Sequence, residues 1–356
     1  MKAINHNLEK HLISDLQKKM VFLSGPRQIG KTTLARKIMK ILNGLYLLYD
    51  EPADREVILT RRFVDANYLC LDEFHKFDRW KAFLKGTYDK NQDHLRILIT
   101  GSARLDIFQK SGDSLFGRYY LYHLHPLTLG ELNSGKITIP DNPSIPHESL
   151  DGLDELFLFG GFPEPFMSHS VEEHRRWLRQ RRQLLIQEEF RELTHIQLLS
   201  LVENLMLLLP ERIGSLFSAT SVSEDLHLSV PTVLNWMNIF EKLFIVYKIL
   251  PYSTSINRSI RKAPKYYLWD WSQLTSESAR FENMIASHLY KAVHYWNDLG
   301  LTETGLYFLR DRNSREVDFI MTRNNQPWFL AEVKLAEEKI SSNLEYFSNQ
   351  LKVPGF

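Results

Sequence analysis

Short apolar runs separated by stretches of helical periodicity dominate the first third of the chain. Leu8, Leu12, Ile13 and Leu16 recur at helical spacing, which predicts an opening helix as far as Lys19. Met20 to Leu23 is a compact apolar run, as are Leu45 to Tyr49, Tyr68 to Leu71 and Arg96 to Thr100, and a helical pattern covers Thr33 to Leu42. Runs too short for helices, apolar throughout and interleaved with helices, predict a buried parallel sheet.

The pattern breaks between Asn133 and Leu150, where Pro140, Pro143 and Pro146 interrupt any periodicity and predict a domain boundary or exposed loop. Beyond it, Asp154 to Phe159 leads into Gly160-Gly161-Phe162-Pro163-Glu164-Pro165, and helical patterns run on through Ser200 to Leu209. Val233, Trp236, Met237, Phe240, Leu243 and Phe244 keep helical spacing within Ser229 to Phe244, and a strand-like Ile245 to Leu250 follows. Helix then strand is the order of a winged helix, an order shared by many small folds. The last segment predicts a helix from Ser276 to Tyr295, with Phe281, Ile285, His288, Leu289 and Ala292 on one side. Strand-like runs follow at Leu306 to Arg310, Glu316 to Met321 and Trp328 to Val333. The chain has no internal repeat and no low-complexity tract. The expectation is an α/β fold in four segments: 1–135, a linker and helical region 136–200, a winged-helix-like domain 201–270, and 271–356.

Composition narrows the class. With 356 residues the chain exceeds one typical core, and 44% hydrophobic and 24% charged residues are ordinary globular values. A formal net charge of +1 gives no global field toward nucleic acid or anionic membranes, so any such contact has to be local. Cys70 is the only cysteine, which excludes an internal disulfide framework and a cysteine-built zinc site. No apolar run has the character of a signal peptide or the ~20 residues of a bilayer span. A soluble, cytoplasmic protein with no membrane partner is expected.

Gly25-Pro26-Arg27-Gln28-Ile29-Gly30-Lys31-Thr32 is a complete G-x-x-x-x-G-K-[ST] sequence between a predicted strand and a predicted helix. The glycines let backbone N–H groups approach phosphates, Lys31 offers a point charge to the β and γ oxygens, and the Thr32 hydroxyl can ligate Mg²⁺. The candidate cofactors are ATP and Mg²⁺, held by residues 25–32 with Thr33 following. Average residue usage would produce this pattern by chance in about one chain of this length in a hundred. Forty residues on, Asp72 and Glu73 close the apolar run that begins at Tyr68. Asp72 is expected to hold the metal through its water shell, and Glu73 to orient or deprotonate the attacking water. Ser102, after Thr100-Gly101, is a candidate γ-phosphate sensor or a plain turn residue. Arg118, before a further strand, is a candidate arginine finger or a structural ion pair.

GPRQIGKTTLA, CLDEFHK, ITGSA, SLFGR and GGFPEP occur in that order, and nearly the whole chain resembles the AAA-type ATPases of bacteria and archaea that carry a C-terminal domain of unknown function with a restriction-endonuclease-like core. The resemblance implies a P-loop AAA-type parallel sheet with flanking helices over 1–135, a Walker A and Walker B pair, and ATP hydrolysis. Two positions depart from its pattern: Phe116 stands where a small residue is usual, and Glu189 where an aspartate is.

Asp318 on one strand pattern and Glu332-Val333-Lys334 on the next have the spacing of a PD-(D/E)xK nuclease core, with Glu282 on the preceding helix as a further carboxylate. Asp318 and Glu332 would bridge Mg²⁺ or Mn²⁺ and Lys334 would stabilise the attacking hydroxide. Composition alone produces such a spacing about once per chain of this length. The helix-strand-strand-strand order and the resemblance therefore carry the nuclease-like fold. Such cores also serve as binding modules, so cleavage does not follow from the fold. After Val353-Pro-Gly-Phe356 such a core would continue into another strand, so an incomplete sheet is expected.

His174 to Arg182 reads HRRWLRQRR, either a phosphate-binding stripe for DNA or RNA or a solvated face paired with Glu172, Glu173, Glu188 and Glu189. Arg258, Arg261, Lys262 and Lys265 form a second basic cluster. The 13 histidines show no H-x-x-x-H spacing with a third ligand nearby. The reading is an ATP-driven conformational switch acting on nucleic acid or a protein partner, including a second copy of the chain. An ATP-regulated DNA-processing nuclease and a nucleotide-binding protein without hydrolysis are the alternatives.

Overall fold

The computed structural model describes residues 7–63, 65–101, 115–133, 150–191, 199–253, 263–336 and 339–356. Ser102, Arg258, Arg261, Lys262 and nearly all of the proline-rich 133–150 stretch lie outside them. The chain divides into two compact units, residues 1–125 with 130–137, and residues 126–129 with 138–356.

In the first unit, α1 (Glu9–Leu16) buries Leu12 and Leu16 and leads into β1 (Met20–Ser24). α2 (Lys31–Leu42), β2 (Leu45–Leu48), α3 (Pro52–Leu59), β3 (Tyr68–Asp72), α4 (Trp80–Asn91), β4 (Arg96–Thr100) and β5 (Tyr119–His123) follow. All five strands are parallel, in the order β2-β3-β4-β1-β5. β4 thus inserts between β1 and β3, which no local pattern announces.

Alternation of side chains divides the sheet's residues between two faces. Phe22, Leu47, Leu69, Leu71, Ile97 and Ile99 join Ile58 of α3 and Trp80, Phe83 and Leu84 of α4 in one apolar core. Each fully buried leucine or phenylalanine contributes ~1.5–3 kcal/mol. The opposite parity carries Tyr46, Cys70, Asp72, Leu98 and Thr100. Arg36 and Thr32 of α2 reach this second face: the Arg36 guanidinium lies 4.8 Å over the Tyr46 ring, and Thr32 bonds Asp72.

The second unit opens with α5 (Leu153–Phe159), α6 (Pro163–Ser168) and α7 (Val171–Leu184), whose helix continues in π form over Leu185–Phe190. Gly161 in the GGFPEP stretch has a packing reason. A Cβ there would stand 2.6 Å from the Leu127 carbonyl oxygen and 2.7 Å from the Trp271 ring. Trp271 is fully buried and donates Nε1–H to the Leu156 carbonyl at 2.9 Å.

α8 (Leu199–Leu208), α9 (Ala219–Leu226) and α10 (Val230–Lys242) follow, the last two capped by Ser218 and Ser229 side chains. β6 (Val246–Pro251) and β7 (Lys265–Leu268) pair antiparallel, so helices followed by a strand pair have the order expected of a winged helix. These strands also join β8 (Thr304–Arg310), β9 (Glu316–Arg323) and β10 (Gln326–Ala331) in one mixed sheet, β10-β9-β8-β6-β7. That sheet crosses the boundary expected at 270.

α11 (Glu277–Asp298) precedes β8, and α12 (Ser342–Leu351) follows β10. β10 ends at Ala331, so Glu332 and Lys334 lie past the strand rather than on it. Pro354 to Phe356 lie along the β10 edge, where Gly355 forms an isolated parallel bridge with Leu330. Leu330 N donates to Pro354 O at 2.9 Å, Phe356 N to Leu330 O at 3.0 Å, and Glu332 N to Phe356 O at 2.9 Å. Among the described residues, no helix is long and apolar enough to cross a membrane.

Candidate nucleotide site

Parallel pairing brings the carboxyl ends of β1, β3 and β4 side by side: Leu23 is level with Thr100, and Leu71 with Ile99. In an open parallel sheet this edge is where ligands bind. The chain turns from Ser24 through residues 25–30 into α2. Gly25 has φ 152° and Gly30 has φ 100°, the latter capping α2 in the left-handed region. A Cβ on Gly25 would stand 2.5 Å from the Leu124 carbonyl oxygen. Gln28 is exposed at φ 65°, Ile29 is buried, Pro26 is buried, Arg27 is half-buried and Thr33 is exposed. The first turn of α2 presents N–H groups without intrahelical partners to the concave side of this loop.

Lys31 is buried, and its ammonium donates to Gly25 O at 2.8 Å and Pro26 O at 2.7 Å, drawn back over the loop that it closes. Thr32 Oγ1 donates to Asp72 Oδ2 at 2.8 Å. Tyr46 and Thr100 hydroxyls also donate to Asp72, to Oδ2 and Oδ1 respectively, and Glu73 N donates to Oδ1 at 3.0 Å. Burial and the Asp72 charge push the Tyr46 hydroxyl well above its ordinary range, so it stays a donor. Sequence reasoning did not single out Tyr46 or Thr100. Their period-2 alternation with Leu48 and Leu98 was visible, but their meeting at Asp72 depends on strand order.

Glu73 sits in the left-handed region at φ 54° and opens a single 3₁₀ turn. That conformation costs a non-glycine residue ~1–2 kcal/mol and aims the side chain away from the strand direction. Burial raises the Glu73 carboxyl, Lys31 opposes that, and Asp72 adds to it; His75 Nε2 lies 3.7 Å away. A carboxyl raised toward neutrality suits a general base. The donor set fits a magnesium nucleotide: a threonine hydroxyl bonded to a strand-end carboxylate, a lysine, and a loop in which a Cβ at Gly25 would collide.

Arg118 does not belong to this constellation within one chain. Its carbonyl accepts from Met20 N at 3.1 Å, at the amino end of β1, whereas the loop leaves the carboxyl end. Five strand residues at ~3.3 Å each separate the two ends. The guanidinium instead grips Asp89 in two bonds, Nε to Oδ1 at 2.7 Å and Nη2 to Oδ2 at 3.2 Å. The neighbouring Phe116 is 85% exposed.

The charge of Asp318 acts on Glu282 and that of Glu332 on Asp318, yet each of these acids has its own partner. Glu282 accepts from Tyr267 OH at 2.8 Å, and burial with the Asp318 charge pushes its carboxyl up to about 7. Asp318 accepts from Val333 N at 2.8 Å and is raised by burial despite that bond. Glu332 accepts from Ser341 Oγ and stands 3.4 Å from the Lys334 ammonium. Glu316 is held by Lys265 at 2.6 Å and Arg310 at 2.5 Å. Among the described residues, no three of His, Cys, Asp and Glu stand together as a metal site.

The basic clusters are also redistributed. His174, Trp177 and Arg181 form the buried face of α7, while Arg175, Arg176 and Arg179 are exposed. Arg181 lies 4.0 Å over Phe162 and 5.3 Å from Trp177, and burial pushes its guanidinium down to about 10. The nine-residue stretch is therefore split between core and solvent rather than forming one stripe. Lys265, counted in the second basic cluster, is buried in β7 and paired with Glu316.

Residues 17–133 match the family model of an AAA domain, residues 150–281 a domain of unknown function (DUF8612), and residues 277–355 another (DUF4143). An uncharacterized protein of Mycobacterium tuberculosis is 22% identical over 324 residues, covering 87% of this chain and 69% of its own length. An uncharacterized protein of Methanocaldococcus jannaschii is 23% identical over 303 residues, 74% of this chain and 63% of that protein. Among solved structures, the Thermotoga maritima RuvB Holliday junction branch migration motor covers 69% of this chain and 90% of its own at 15% identity and TM-score 0.36. The Aeropyrum pernix Orc1 protein in complex with DNA covers 79% and 92% at 14% identity and TM-score 0.33; scores of this size carry no argument. The family match and the five-stranded parallel order agree on the fold: residues 17–133 match an AAA domain and carry the parallel sheet of P-loop AAA folds.

Proposed function

We propose that the chain binds ATP with Mg²⁺ at residues 25–33 and hydrolyses it, and that hydrolysis switches the conformation through which it engages a partner. The observation that carries this reading is the Thr32–Asp72 hydrogen bond at 2.8 Å, which joins the phosphate loop to the strand end beside it. Lys31 would exchange the Gly25 and Pro26 carbonyls for the β and γ oxygens, and Thr32 with Asp72 would hold the metal and its water. The metal would supply charge neutralisation on the phosphates. Glu73 would accept the proton of the attacking water, and Thr100 would keep Asp72 oriented while it does so. Arg118, at the far end of the sheet, would serve only a neighbouring copy's nucleotide, after releasing Asp89. A soluble, cytoplasmic setting accords with a single, buried cysteine.

Phosphate release by the parent protein and by Lys31→Ala and Glu73→Gln tests the assignment. Lys31→Ala should lose binding and turnover, and Glu73→Gln should retain ATP but lose turnover ~100-fold or more. Unchanged hydrolysis in Lys31→Ala sinks the site. Retained ATP binding without phosphate release in the parent would favour a nucleotide-dependent interaction protein.

Nucleic acid is the partner class that the exposed Arg175, Arg176 and Arg179 of α7 support. A second reading, a nuclease regulated by the ATPase domain, is supported by the influence of Asp318 on Glu282 and of Glu332 on Asp318 in a restriction-endonuclease-like order of elements. Plasmid cleavage with ATP and Mn²⁺ that disappears in Asp318→Ala would establish it.

A further inference from the structure

Asp72 accepts two hydrogen bonds on each oxygen: Glu73 N and Thr100 on Oδ1, Thr32 and Tyr46 on Oδ2. An ionised carboxylate offers about four acceptor positions, so this one is saturated. A metal-bound water can reach it only if one donor withdraws. The four donors differ in their freedom to do so. Glu73 N–H belongs to the backbone of a fixed turn, and Thr100 is fully buried at the end of β4. Thr32 can give lone pairs to a metal while its hydrogen still points at Asp72, so it does not have to leave.

Tyr46 is different on three counts. It lies on β2, the edge strand of the sheet, and its side chain is only half-buried. It is level with Cys70 rather than Asp72, so its hydroxyl reaches the carboxylate by leaning along the strand. Its ring is held by the Arg36 guanidinium at 4.8 Å, and Arg36 also offers the hydroxyl a second hydrogen-bond partner when it leaves Asp72.

We propose that Tyr46 is a reversible cap on Asp72, donating to the carboxylate until the water shell of a nucleotide-bound divalent ion replaces it, and that the cap sets the metal affinity of the site. Tyr46 is thus a positioning residue that acts through Asp72. The inference rests on the reading of residues 25–33 as an ATP site.

Tyr46→Phe keeps the ring and its stacking under Arg36 and removes the hydroxyl, with its bonds to Asp72 and to the Arg36 side chain. Mn²⁺ binding to the full-length chain, saturated with a non-hydrolysable ATP analogue, is measured by calorimetry or electron paramagnetic resonance. Loss of the competing hydrogen bond should tighten Mn²⁺ about tenfold, while analogue affinity in EDTA stays within about twofold of the parent. Equal or weaker Mn²⁺ binding in the variant overturns the cap with the nucleotide site intact. Failure of the parent to bind the analogue in EDTA or Mn²⁺ overturns the nucleotide reading and the cap with it. Should Tyr46→Phe fold poorly, a crystal structure of the parent with analogue and Mg²⁺ decides. Tyr46 OH beyond hydrogen-bond distance of Asp72 supports the cap, and an unchanged bond overturns it.

Discussion

Replacing Glu282 with glutamine should stabilise the C-terminal unit in alkaline solution and leave it almost unchanged in acid. The Glu282 carboxyl is pushed up to about 7 by burial, then by the charge of Asp318, with Lys265 and the Tyr267 hydrogen bond opposing. An unfolded chain ionises the same group near the ordinary glutamate value of 4.5. The folded state therefore holds the proton more tightly. Its contribution to stability is greatest below the unfolded value and is lost as pH rises toward about 7, beyond which the full penalty applies. That interval corresponds to ~3 kcal/mol. Glutamine still offers an oxygen to Tyr267 OH, which bonds Glu282 at 2.8 Å, and carries no charge to desolvate. Asp318 is raised as well, by burial and by the charges of Glu332 and Glu316, and its own shift does not depend on the substitution.

Urea unfolding followed by tryptophan emission reads this unit well, since Trp269, Trp271, Trp296 and Trp328 are all buried in it. With a slope of ~2–3 kcal/mol per molar urea, the midpoint should rise by about 1 M at pH 8 and hardly move at pH 4. An equal shift at both pH values, or destabilisation at pH 8, refutes the reasoning. Added Mn²⁺ that stabilises the parent above the variant would show that the acids prefer a metal to their present partners.

Gly25→Ala should abolish ATP binding and lower the melting temperature, because its Cβ would collide with the Leu124 carbonyl at 2.5 Å; retained binding in a fluorescent-nucleotide titration contradicts this. Arg181→Ala should cost ~3 kcal/mol or more by removing a buried cation from between Phe162 and Trp177, whereas Arg175→Ala should stay within ~0.5 kcal/mol, compared by thermal unfolding. Lys265→Met should destabilise the second unit by ~2–4 kcal/mol, since Glu316 would keep only Arg310. Scanning calorimetry of the variant checks it, and an unchanged transition would show that Lys265 is dispensable.

The strands β1 to β4 were legible in the sequence because a strand buried on both faces is written as a continuous apolar run. The opening helix and α11 were legible because one apolar face repeats every three or four residues. Lys265–Leu268 was not: four residues with a charge at one end have no period, and pairing with Val246–Pro251 makes them a strand. The helices at Pro52–Leu59 and Trp80–Asn91 were also missed, since each buries a narrow stripe against the sheet.

By itself the sequence determined what is local: the phosphate-loop spacing from Gly25 to Thr32, the acidic pair closing the Tyr68–Asp72 run, and the periodicities that separate strands from helices. Only the tertiary structure decided which groups meet. Insertion of β4 between β1 and β3 brings Thr100 to Asp72, and the edge position of β2 brings Tyr46 there. It also sends Arg118 to the opposite end of the sheet, and turns Arg181 and Lys265, both basic letters in basic stretches, into the core. The physical reason is that spacing along the chain fixes direction only within one element. A charge becomes a ligand, a base or a core ion pair through burial and neighbours supplied by elements far away in sequence.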